Sequence, residues 1–346
     1  MNKQIIKEKI QQYANKIAIA LKKLSPRSML KFIKILGSSW RIIAAIFFII
    51  IFLYYPLGGW LVNDIDTDTS VEVTHSDENR SYSVEMVSYL IRREVNDKIW
   101  TPNLPFFFPS YFLDNMPEFQ LGLIKGLSSF TQSLAKKLEP NIASEEEHYL
   151  KEAANLLQYD PTIWMFSSQS KLVPVPSAHS QYRKARKLLV KYNQKLSDGS
   201  LTLYKTPQDL HYFLNQISHN LVKTSSKLEA HIREESMDII DNQSDNLLFY
   251  SRGLAYANYM LLKALAVDYK SILLEADVYP EWTKLLKALE NASTLNPLIV
   301  RNGELNSSSA PNHLTTEGFY LLKAHNILQN INHKLEYKFL QLKDQQ

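Results

Sequence analysis

The sequence contains no cysteine, which excludes a disulfide framework and thiolate chemistry and removes the commonest structural zinc ligand. The compartment stays open, because an extracytoplasmic domain large enough to bury a core needs no disulfide. Glycine is scarce, nine in 346 residues, so backbone cradles for phosphates have little to be built from. Neither a phosphate loop nor a dinucleotide glycine fingerprint occurs, and serine nucleophile elbows and HExxH are missing too. There is no repeat at a fixed period and no low-complexity tract. What is present is apolar material: 45% hydrophobic and 11% aromatic residues suffice for one large or two ordinary domains and exclude a disordered chain.

The net charge of +4 hides an asymmetry. Residues 1–41 hold ten Lys or Arg against the single acid Glu8, a local +9, so the remainder carries −5. A pI of 8.8 therefore gives no reason to expect nucleic acid as a partner of the main domain. In the tail, Ile6, Ile10, Tyr13, Ile17, Leu21 and Leu24 recur at helical spacing with lysines between them, which predicts an amphipathic basic helix stopped at Ser25-Pro26 and suited to anionic lipid.

The 21 residues from Ile42 to Val62 carry no charge, and as a helix they would span about 31 Å, close to a bilayer's hydrocarbon thickness. Trp40 and Arg41 mark one edge; Tyr54, Tyr55 and Trp60 mark the other, where amphipathic rings favour the headgroup region. Pro56, Gly58 and Gly59 predict the end of the regular helix. The 41-residue leader and an exit without a small-x-small site argue for an uncleaved anchor rather than a signal peptide. The positive-inside rule then keeps residues 1–41 in the cytoplasm and sends the rest across.

An acidic connector, 63–80, follows, and then a helical domain, 81–346. The expectation is a mainly α protein: one N-terminal transmembrane helix, then an irregular multi-helix bundle with at most short β pairings. Helices are predicted over roughly 81–99, 117–139, 144–158, 180–197, 207–235, 245–275, 280–293 and 315–342. Ser144 with Glu147, and Thr206 with Pro207 and Asp209, supply start signals. The segment Gly253 to Val267 is apolar nearly all round, which suggests a central helix; a second span over Leu247–Val267 is opposed by Arg252, Asn258 and Lys263. The stripe Leu321, Ala324, Leu328, Ile331, Leu335, Phe339 and Leu342 faces a core, another helix or a second copy of the chain. Val71–Val73, Leu172–Val175 and Leu201–Tyr204 are the short strand candidates, and the proline-rich joint near 167–179 is the candidate subdomain boundary.

Chemical constellations are few. Asp64-x-Asp66-x-Asp68 opens like a calcium loop, but Thr69 and His75 stand where Gly and a bidentate Glu belong. Glu145-x-x-His148 has di-iron spacing without the second motif that such a site needs. His211 with His219 and His325 with His333 are each eight apart, too far round a helix to chelate. No metal or cofactor is expected. Paired carboxylates, Asp114 with Glu118 or Asp238 with Asp241, would serve acid/base chemistry only from a buried cleft.

The segment from Trp100 to Phe119 packs four prolines and seven aromatics into twenty residues. Proline keeps such a backbone extended or turning, so a rigid aromatic loop is predicted, with Trp100, Phe106, Phe107, Phe108, Tyr111 and Phe112 as candidate contacts to a partner or the outer leaflet. The anchor exit YYPLGGWLVNDIDTD, the block WTPNLPFFFPSYFLDNMPEFQLG and the helix start NLLFYSRGLAYA resemble a proteobacterial membrane-protein family catalogued as domain of unknown function 2333. That resemblance covers nearly the whole chain. It implies an inner-membrane protein with a periplasmic helical domain and brings no reaction, cofactor or catalytic residue. The reading leans away from an enzyme: a membrane-anchored envelope protein that meets the lipid bilayer and an envelope protein, with self-association through the C-terminal helix. The alternative is a periplasm-facing hydrolase or transferase acting on cell wall or lipid through carboxylates.

Overall fold

Pro26 opens helix α1, which runs without a break to Val62. A proline at the first helical position is favourable, because its missing N–H would have had no partner there. The predicted stop at Pro56 does not occur; α1 continues through it. Continuing leaves one carbonyl without its amide, whereas stopping inside an apolar segment would strand a whole turn of them. The computed structural model describes residues 26–73, 79–138, 148–166, 173–234, 242–297, 300, 302 and 312–343, with side chains omitted at 26–39, 41–42, 138, 234, 242 and 339–343. The tail helix, the Ser144–Glu147 start, Glu145, His75, Asp238, Asp241 and the Arg41 side chain therefore lie outside the described residues.

Among the described residues, Ile43–Val62 is the one stretch of helix long and apolar enough to cross a membrane. Its side chains face outward, with Phe47, Phe48, Phe52 and Ile50 all exposed, as are Trp40, Tyr54 and Trp60; Tyr55 is half-buried. The chain divides into two units, Met1–Gly58 and Gly59–Gln346. The second takes over in the last turn of α1, and the joint near 167–179 lies inside it.

The second unit continues with α2 (Tyr82–Arg92, extended by a π turn over Arg93–Asp97), α3 (Asn115–Leu138), α4 (His148–Leu157), α5 (Ala178–Ser197), α6 (Pro207–Glu234), α7 (Asn242–Asp268), α8 (Lys270–Glu275), α9 (Tyr279–Thr294) and α10 (His313–Lys343). Every helix predicted between 81 and 342 is present within a few residues over the described part, except that 245–275 is two helices broken at Tyr269. No strand occurs among the described residues. Of the three predicted pairings, Leu172 lies outside the described residues, and the joint is closed instead by the amides of Val175 and Ala178, which donate to Met165 O and Ile163 O at 2.8 Å each.

Helix α7 is the centre. From Leu248 to Leu265 it is buried almost all round, as the nearly all-round apolarity of Gly253 to Val267 predicts, and α3, α9, α2 and α10 pack on it. The α3 crossing is very close: a Cβ on Gly122 would come 1.9 Å from Tyr250 O, and one on Gly253 would come 2.0 Å from Phe119 O. Each glycine lets the other helix's backbone approach. Helix α10 lays Leu321, Ala324, Leu328, Ile331 and Leu335 into the core against α6 and α9, so those five residues are enclosed within the chain; Phe339 and Leu342 fall where side chains are not described.

Two helix starts have visible causes. At α6, the Thr206 hydroxyl and amide donate to Asp209 Oδ2 at 2.6 and 3.3 Å while the Asp209 amide donates to Thr206 Oγ1 at 3.2 Å, a reciprocal capping box. At α2, the local cap, Ser81, whose hydroxyl accepts the Val84 amide at 3.3 Å, is reinforced at long range. Asp268, at the end of α7, accepts the amides of Tyr82 and Ser83 (3.0 and 2.9 Å) and the Ser81 hydroxyl (3.0 Å), and Lys205 Nζ reaches it at 2.9 Å.

Candidate functional site

Prolines 102, 105 and 109 keep the aromatic segment out of α-helix and leave a chain of tight turns ending in one 3-10 turn, Pro109–Phe112. Its base is fastened from below. Gln120 on α3 accepts the Thr101 amide and hydroxyl at 2.9 and 2.8 Å and donates to Ile99 O at 3.0 Å and Glu94 Oε2 at 3.1 Å. Asn103 Nδ2 donates to Ile163 O at 2.8 Å. Trp100 is only 3% exposed; its indole donates to Pro161 O at 3.0 Å and its ring meets Tyr182 edge-on at 5.2 Å. It is a core residue, a correction to its place among the candidate contacts.

The tip is the reverse. Phe106 is 67% and Phe112 70% exposed, with Phe107 and Tyr111 exposed beside them and Phe108 half-buried. Four large aromatic side chains turned outward on a fastened loop form an apolar patch of the kind that meets a membrane or a partner. On its other side the loop meets Gly59: Pro109 O and Leu113 Cδ2 would stand 3.5 and 3.7 Å from a Cβ there. Gly59 lies in the last turns of the apolar stretch Ile43–Val62, so the patch and the end of that stretch are joined within one unit.

The acidic connector, 63–73, is fastened to the helical bundle rather than free. Arg93, buried on the π turn, binds Glu94 (2.7 Å), Tyr256 Oη (2.7 Å) and, at 3.5 Å, Asp66; Tyr256 Oη donates to Asp68 O at 2.7 Å. Lys263 donates to the carbonyls of Thr69 and Val71 at 3.0 and 3.2 Å, and Lys98 to Asp64 O at 2.6 Å. The three aspartates do not converge. Asp66 and Asp68 accept the amides of Asp68 and Ser70, each at 2.8 Å, and Asp64 faces Lys98, which is turn chemistry rather than a cation loop.

Carboxylates gather at the start of α3 and α7. Burial, then Asp114, pushes Glu118 up; the same two causes push Asp245 up to about 6, against the pull of Arg252. Glu317 on α10 is fully buried, and burial pushes it up to about 8 despite Ser251 and Arg252. Among the described residues no group of three or more His, Asp or Glu could hold a metal ion. Ser218 Oγ lies 2.6 Å from His325 Nδ1, but the serine is 1% exposed and Gln329 Nε2 stands 3.0 Å from the same oxygen. This pair is an α6 to α10 clamp with no room for a substrate carbonyl. The sequence reading missed it because the partners are 107 residues apart.

No curated protein and no solved structure matches the chain. Residues 104–244, from the aromatic loop to the first turn of α7, match the model of a family described as an uncharacterized protein conserved in bacteria (DUF2333), and the resemblance drawn from the aromatic block holds over that stretch.

Proposed function

We propose that the protein is a membrane-anchored interaction or scaffold protein of the bacterial envelope, held in the inner membrane by α1 with the basic tail in the cytoplasm and the helical unit outside. The observation that carries this reading is the aromatic tip, Phe106, Phe107, Tyr111 and Phe112, exposed on a loop that packs on Gly59 at the end of the apolar stretch. A loop tied to that end lies at headgroup depth, where rings with apolar faces are most favourable. The loop then adds a second contact with the bilayer to that of the helix, leaving other surface of the unit to an envelope protein.

The absence of cysteine makes the test clean. Phe112→Cys and, on exposed α6, Lys223→Cys each accept one environment-sensitive fluorophore in the full chain reconstituted into liposomes. A blue-shifted emission at position 112, quenched by a headgroup-depth lipid spin label and shielded from aqueous iodide, is expected, with position 223 showing the opposite. Equal iodide quenching at the two sites would overturn the membrane contact. Orientation is read separately, from a reporter active only outside the cytoplasm fused after Gln346: activity is expected, and its absence would reverse the topology.

A further inference from the structure

Between α2 and α5 lies a cavity of about 190 Å3 whose polar lining is Arg80, Glu85, Ser88, Arg92 and Arg186. Glu85, Ser88 and Arg92 stand at three- and four-residue steps along α2 and therefore share one face. Arg186 faces them from α5, and Arg80 comes from the turn that leads into α2. Three guanidinium groups thus meet one carboxylate, and that carboxylate is already engaged, since Glu85 Oε2 accepts from Asn193 Nδ2 at 3.0 Å.

Two observations mark this as a place prepared for a ligand rather than a solvated charge cluster. Ser88 is only 3% exposed and its hydroxyl has no hydrogen-bond partner, although a helical serine ordinarily bonds back to the preceding turn. The Arg80 Nε is likewise buried without a partner. Buried donors are nearly always paired, so two orphans on one cavity wall call for an acceptor within it. Arg92 is partly committed, its Nε lying 3.2 Å from the exposed Asp97, but its terminal nitrogens are not part of that pair.

We infer that this cleft binds a phosphate-bearing anion, clamped by the guanidinium groups of Arg80, Arg92 and Arg186 and accepting a hydrogen bond from Ser88 Oγ. A phosphate monoester carries a charge of about −1.5 to −2 and three acceptor oxygens, enough to face three guanidinium groups at once even with Glu85 and Asp97 beside them. Guanidinium forks suit phosphate oxygens in pairs. The volume exceeds that of one water, about 30 Å3, and Val73, Val190 and Tyr89 supply walls for a small organic body. A lipid headgroup and a soluble phosphate ester share this chemistry.

The full chain in bilayers of phosphatidylcholine alone, titrated calorimetrically with inorganic phosphate and with glycerol 3-phosphate, is expected to show saturable one-site binding. Arg80→Gln with Arg186→Gln should weaken it at least about tenfold, and Ser88→Ala should weaken it by a smaller factor. Arg233→Gln, on exposed α6, should leave it unchanged. Arg92→Gln, at the surface, replaces the double variant if circular dichroism shows that the latter is unfolded. Adding phosphatidic acid to the bilayer separates the sources: blocked glycerol 3-phosphate binding supports the site with a lipid occupant, and undiminished binding supports it with a soluble one. No saturable heat up to about 10 mM ligand, or equal binding by all arginine variants, would overturn the inference.

Discussion

Glu317 is enclosed completely, with Ser251 and Arg252 as polar neighbours, and burial raises its pKa from 4.5 to about 8. Arg252 beside it is pushed down by burial to about 10 and stays charged at neutral pH, held by Asn296 Oδ1 at 2.9 Å. A carboxyl whose folded pKa lies above its unfolded value keeps a proton that the unfolded chain gives up. Its full stability is therefore present below about pH 4.5 and is lost as pH rises towards 8. At pH 7 the loss is on the order of 3 kcal/mol. Asp245, raised to about 6, adds a smaller loss at the lower end of the same window. Denaturant unfolding at pH 5 and pH 8 should show the wild-type chain less stable at the higher pH, and Glu317→Gln should flatten most of that difference. An unchanged pH dependence in the variant would mean that Glu317 is ionised in the fold. The acid was visible in the sequence, and four residues before Leu321 it falls on the face of the α10 stripe, but its burial was not expected because a glutamate is almost never fully enclosed without a partner.

At the scale of elements, the crossing of α3 and α7 decides the core. A methyl on Gly122 or Gly253 would run into backbone carbonyls at 1.9 and 2.0 Å, and a backbone cannot step aside as a side chain can. Overpacking ordinarily costs about 1–3 kcal/mol, and Gly122→Ala or Gly253→Ala should lie at or above the top of that range. Gly318→Ala is the contrast, since its Cβ would meet only Ser225 Oγ at 3.6 Å; it should be neutral or stabilise α10 by up to about 1 kcal/mol. Thermal melts of the three variants test both statements. The start of α2 depends on Asp268 in the same long-range manner. Asp268→Ala strands two amides, a hydroxyl and Lys205, and a loss of about 3 kcal/mol is expected, read by denaturant unfolding. Local signals did identify the α6 start, where Thr206 and Asp209 are three residues apart. They could not identify the reinforcement of the α2 start, whose acid is 185 to 187 residues away.

At the scale of the whole molecule, the connector belongs to the folded unit. Tyr256, Lys263 and Lys98 hold its backbone through Asp64, Asp68, Thr69 and Val71, Arg93 reaches the Asp66 carboxylate, and Val73 forms part of a cavity wall. A chain beginning at Gly59 should therefore melt higher than one beginning at Asn79, by about 3 °C or more if the loss exceeds 2 kcal/mol. Equal melting temperatures would return the connector to the status of a linker.

The sequence by itself determined the apolar span, the boundaries of nearly every helix, the centrality of Gly253–Val267 and the aromatic loop. Each of these is written in the spacing of neighbouring residues or in a run of one kind of side chain. The tertiary structure alone decided that Trp100 is core while Phe106 and Phe112 are exposed, that Gly122 and Gly253 face each other, that the connector is fastened, and that Arg186 meets the α2 face carrying Ser88 and Arg92. Those outcomes depend on contacts between residues tens to hundreds of positions apart, which packing selects and local periodicity does not encode.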